Sequence, residues 1–143
     1  MKNFTYIALV CLMMLSASTH AEQKQRLGPF EAHYIVVRSS FFSEEIAQRY
    51  DIVRGRDRAL MNLSVLDEHQ QPVPVTLEGD VTNLLEQRVA LDFREVREGT
   101  AIYYLAPVKH TDRETLRFRV SITTPDGVAR ELKFQQMMYW DDR

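Results

Sequence analysis

Residues 87–105, QRVALDFREVREGTAIYYL, decide the fold, because both arms and the turn of a β-hairpin can be read from them. In the first arm Val89, Leu91 and Phe93 alternate with Ala90, Asp92 and Arg94, the two-residue period of a strand that buries one face. Arg97-Glu98-Gly99-Thr100 follows as a polar tip. Its glycine is free to take a positive φ, so the spacing predicts a short hairpin with a G1-type bulge. The second arm, Ala101 to Ala106, is apolar or aromatic throughout. That pattern predicts a strand in the middle of a sheet, with Ile102 and Tyr104 on one face and Tyr103 and Leu105 on the other. The alternation of the first arm breaks after Phe93, since Val96 has the opposite parity. The break marks either a bulge or the end of the buried part.

Outward from this stretch, other segments repeat the two-residue period. Phe30–Val37 reads as a first strand with Pro29 at its mouth, preceded by a loose polar segment from Glu22 to Gly28. Ser43 is placed to cap a short helix through Tyr50, with Glu44 and Glu45 in its first turn and Ile46 and Tyr50 facing the sheet. Met61, Leu63 and Val65 alternate within Ala59–Leu66, and Val75, Leu77, Gly79 and Val81 share a parity in a third strand to about Leu84. Leu116, Phe118, Val120 and Ile122 mark the least ambiguous strand. The turn Pro125-Asp126-Gly127 joins it to a last strand from about Arg130 to Tyr139. The expected fold is all-β: an antiparallel, immunoglobulin-like β-sandwich of about seven strands with one short helix. A small closed barrel is the alternative.

The start of the 143-residue chain is not expected to join that fold. Lys2 leads an apolar run from Phe4 to Leu15, and Thr19-His20-Ala21 offers small residues at a signal peptidase site, so residues 1–21 read as a signal peptide. The run is shorter than the roughly 20 residues a spanning helix needs. Residues 22–143 are then one exported domain, periplasmic or secreted, with no stable insertion in the membrane. The single cysteine, Cys11, falls inside the leader, so no disulfide is expected and stability rests on the core. The formal charge is −2, with both signs interleaved, which argues against a nucleic-acid partner.

Catalytic and metal-binding patterns are weak. His33, His69 and His110 are scattered, and only His110 with Asp112 approaches a metal-ligand spacing. There is no nucleophile elbow and no phosphate-binding loop. Asp92, Glu95 and Glu98 are interleaved with Arg94 and Arg97, which favours compensating surface charge over a carboxylate pair. No cofactor or metal is expected. Two surfaces fit a binding role better: the charged hairpin tip carrying Arg94, Glu95 and Arg97, and the aromatic C-terminal end at Tyr139 and Trp140.

Several segments together resemble a family of small exported proteobacterial proteins known only as a domain of unknown function. They are RAL at 58–60, NLSVL at 62–66, TNLLEQ at 82–87, LDFREVREG at 91–99, IYYLA at 102–106, ETLRF at 114–118 and LKFQQ at 132–136. The resemblance covers most of the domain. It implies an exported single domain without an assigned activity, so no residue role can be carried over. The resemblance implies that a glycine is usual where this chain has Glu86, which bears on the turn there.

The favoured reading is a non-catalytic interaction module that binds an unknown protein or envelope component. Two alternatives stand beside it. One is an enzyme whose site assembles from His33, His110 and Asp92, and the other is a holdase-like chaperone for exported chains.

Overall fold

The computed structural model describes residues 23–141. The leader, its cleavage site and Cys11 lie outside the described residues. Two antiparallel sheets make up the fold, and they are separate layers with edges, so a sandwich is formed and not a closed barrel. One sheet is ordered β1 (Gln23–Leu27), β2 (Phe30–Arg38), β3 (Arg58–Leu66), β7 (Ala101–Lys109), β6 (Arg94–Glu98). The other is ordered β5 (Arg88–Leu91), β4 (Thr76–Asn83), β8 (Glu114–Thr123), β9 (Ala129–Met138).

The core fills the space between the layers from the alternate positions that the sequence marks. Tyr34, Val36, Met61, Leu63, Val65, Ile102, Tyr104, Ala106 and Val108 from one sheet meet Val81, Leu116, Phe118, Val120, Ile122 and Leu132 from the other. Packed against this core, the partly buried Phe134 stacks on Phe118 with centroids 4.5 Å apart and meets Tyr34 at 4.6 Å. Such aromatic pairs add about 0.5–1.5 kcal/mol beyond the area they bury.

The structure corrects the sequence reading in four places. The described residues hold nine strands, not seven. One addition is β1, where a loose segment was expected. It pairs with β2 from Gln23↔Tyr34 to Leu27↔Phe30 across a Gly28-Pro29 turn in which Gly28 takes φ 62°. The other is β6, and it changes the central hairpin. The first arm expected from Val89 to Phe93 belongs to the opposite sheet, where β5 pairs with β4. The chain crosses between layers at Asp92-Phe93, and β6 then pairs with β7. The parity break after Phe93 is that crossing.

The hairpin tip is a two-residue turn, Gly99-Thr100, closed by Glu98↔Ala101 and without a bulge. Gly99 has φ 58° and Thr100 is not left-handed, as a II′-type turn requires. The helix α1 (Glu44–Arg49) forms where expected, Ser43 Oγ accepting the Ile46 N–H. Its inward residue, however, is Ala47, and Ile46 is 40% exposed. Six residues make less than two turns, so a narrow stripe is buried and the small side chain permits close approach.

Candidate functional site

The end of β6 and the edge of β5 together leave a gap. Strand β6 pairs with β7 only over residues 101–105, so the last part of β7, Ala106–Lys109, has β3 on one side and no strand on the other. Strand β5 is the edge of its own sheet. Between these two edges opens a cleft of about 450 Å³. Its apolar walls are Val81, Leu91, Val108 and Leu116, and Trp140 stands at one end. Asp57, Lys109, His110 and Glu114 give the lining its ionisable groups.

The Trp140 end is held from three directions. The Trp140 backbone N–H donates to Asp112 Oδ1 at 3.0 Å, and the Arg56 guanidinium lies 4.1 Å from the ring centroid. The next residue, Asp141, donates its N–H to the Arg56 carbonyl at 3.2 Å. Trp140 Nε1 is buried and has no hydrogen-bond partner among the described residues. A buried indole N–H usually finds an acceptor, and leaving it without one costs about 1–3 kcal/mol. His110 is also buried. Its Nδ1 donates to the Thr111 carbonyl at 2.9 Å.

The sequence-predicted residues divide between two places. Arg94, Glu95 and Arg97 lie on β6, but they do not form an unengaged tip. The Arg94 guanidinium donates to the Tyr50 carbonyl and stands 3.8 Å from the Asp51 carboxylate. Glu95 accepts from the Tyr104 hydroxyl at 3.1 Å and pairs with Arg97 at 3.4 Å. Tyr139 and Trp140 follow β9, at the other end of β7. Arg97 is opposite Ile102 whereas the cleft is lined by Lys109, seven residues along the strand and about 23 Å away at strand rise. Of the C-terminal pair, Trp140 lines the cleft and Tyr139 is half exposed beside it.

The dispersed enzyme site does not assemble. His33 is opposite Ser64 on β3 and bonds Glu31 at 2.8 Å, whereas Lys109, which precedes His110, is opposite Arg58. Six residues along β3 separate the two histidines by about 20 Å. Asp92 is exposed in the crossing. Of the His110–Asp112 pair, the Asp112 Oδ1 receives the Trp140 N–H. Among the described residues no group of three or more His, Cys, Asp or Glu could hold a metal ion. Sequence reasoning missed the cleft itself, whose walls come from β4, β5, β7 and β8. The one signal for it was the parity break that ends β5.

A family model for a domain of unknown function, DUF4426, matches residues 24–141. The chain belongs to the DUF4426 family. A crystal structure of a DUF4426 family protein from Pseudomonas aeruginosa is 30% identical, with a TM-score of 0.77 over 87% of this chain and 99% of that one. More distant DUF4426-like folds occur in FetP of uropathogenic Escherichia coli. A copper-bound variant matches at 9% identity and TM-score 0.61, covering 85% of this chain and 97% of that one. FetP as isolated after expression in the periplasm matches at 10% identity and TM-score 0.60, covering 85% and 96%. At that identity the likeness is one of fold. No curated protein matches the chain.

Proposed function

We propose that this DUF4426 chain is an exported, non-catalytic binding module of the cell envelope that receives an apolar group of its partner in the cleft between β5 and β7. The cleft carries this reading: about 450 Å³ of mainly apolar space, lined in part by core residues and by a tryptophan whose N–H has no acceptor among the described residues. The leader-like residues 1–21 support a periplasmic location, as does the preparation of the FetP relative from the periplasm.

Trp140 is the only tryptophan, so its fluorescence reports on the cleft alone. Titration with an anilinonaphthalene sulfonate dye should quench Trp140 emission to saturation at one dye per chain. Val89, which lines the cleft and is 70% exposed, is the position to perturb without touching the core. Val89→Asp should weaken the dye about tenfold, because a carboxylate at the cleft wall opposes both the apolar rings and the sulfonate of the dye. Absence of saturable quenching, or equal affinity in the variant, overturns the reading.

A further inference from the structure

We infer that the edge of β5 is an interface with a second copy of this chain, the two β5 strands pairing antiparallel about a twofold axis through Ala90. The backbone is presented for it. Asn83 donates its N–H to the Gln87 carbonyl at 3.1 Å, which makes those residues a hydrogen-bonded pair at the mouth of the β4–β5 hairpin. In an antiparallel ladder such pairs alternate with pairs whose N–H and C=O groups point away from each other. From the register Thr82↔Arg88, Val81↔Val89 and Asp80↔Ala90, the backbone groups of Arg88 and Ala90 therefore point outward from the sheet edge. Asp92 directly follows the last residue of β5 and is exposed.

The side chains are self-complementary about the same point. In the run Arg88-Val89-Ala90-Leu91-Asp92, a twofold axis through Ala90 sets Arg88 opposite Asp92 of the second copy, and Asp92 opposite its Arg88. Both ion pairs fall on the outer face, and Val89 meets Leu91 of the second copy on the inner one. Each Ala90 N–H then donates to the Ala90 carbonyl of the other copy. An isologous contact demands this kind of self-matching pattern. Asp92 is exposed and pairs with no cation among the described residues, and Arg88 is 3.8 Å from Asp80 in an exposed pair worth little. The hairpin also carries the two most exposed aliphatic side chains among the described residues, Leu85 at 79% and Val89 at 70%. Apolar exposure of this kind marks interaction surfaces. Val89, Ala90 and Leu91 also line the cleft, whereas Arg88 and Asp92 do not, so the test is placed on those two.

The test is a charge swap read by sedimentation equilibrium on the purified protein, with thermal melts to confirm that each variant is folded. The unaltered chain should sediment as a dimer. Arg88→Glu and Asp92→Lys should each raise the dimer dissociation constant at least about tenfold, because each sets like charges opposite one another twice. The Arg88→Glu/Asp92→Lys double variant restores both pairs with their signs exchanged and should recover the dimer. A monomeric unaltered chain overturns the inference, as does a dimer indifferent to both single changes or a double variant that stays monomeric. Failure here leaves the dye titration at Trp140 unaffected, so the two readings fall separately.

Discussion

The Tyr104 hydroxyl accepts the Val75 N–H at 3.0 Å, tying the β7 layer to the residue just ahead of β4 in the other layer. The same hydroxyl donates to Glu95 on β6 at 3.1 Å, so one oxygen joins three segments. Burial pushes its pKa up, and the Val75 hydrogen bond opposes that shift. Replacement by phenylalanine keeps the ring in the core and orphans a part-buried N–H. Tyr104→Phe should cost about 1–2 kcal/mol of unfolding free energy, measured by urea denaturation.

Gly79 sits mid-strand in β4, opposite Val120 of β8 and Leu91 of β5. A Cβ added there would lie 2.6 Å from the Arg119 carbonyl oxygen and 3.1 Å from Val120 Cγ2. The first of these is backbone and cannot swing away. Gly79→Ala should lower stability by about 1–3 kcal/mol, seen as a lower urea midpoint with an unchanged slope.

Glu86 takes φ 61° in the Asn83–Gln87 turn, a left-handed conformation disfavoured for a residue with a Cβ. Glu86→Gly relieves that strain but adds freedom to the unfolded chain and removes an exposed pair with Arg117 at 3.5 Å. The net expectation is a gain of up to about 1 kcal/mol, read as a higher melting temperature.

Asp126, in the β8–β9 turn, has its pKa lowered from 3.8 to about 2, first by the Arg130 guanidinium at 3.1 Å and then by the Thr124 hydroxyl at 2.5 Å. A depressed folded-state pKa means that the contribution is complete above pH 3.8 and disappears as pH falls through about 2. The wild-type chain should therefore melt above Asp126→Asn at neutral pH. The gap should close across that acid window. A gap independent of pH would show that the ionised carboxylate is not what holds the turn.

Much of this fold was legible because burial wrote it into alternate positions. Leu116, Phe118, Val120 and Ile122 are all buried, and β9 follows the Pro125-Asp126-Gly127 turn as read. The signal failed where that cause was absent. Strand β1, QKQRL, is an edge strand that buries only Leu27, so its sequence has no period to show. The break after Phe93 was visible, but a crossing between layers and a bulge leave the same mark in one dimension.

The site was legible only in part. Trp140 and His110 stood out as residues, whereas the cleft they line depends on strand edges that meet in three dimensions. Arg94 read as part of an unengaged charged tip because its acceptor, the Tyr50 carbonyl, lies 44 positions earlier in the chain.

The chain changes layer between β3 and β4, between β5 and β6, and again between β7 and β8, so the β5-β4-β8-β9 layer is begun before the other is complete and finished after it. Strand β3 waits for β7, whose matching residues arrive 41 to 51 positions later, from Leu63↔Tyr104 to Arg58↔Lys109. Wiring of this kind belongs to the millisecond-to-second class of folding rates. A nascent polypeptide therefore leaves one flank of β3 unpaired until the strand ending at Lys109 has been delivered. Any fragment ending before Ala101 would carry the bare flank of β3 and should be cleared by proteases instead of accumulating.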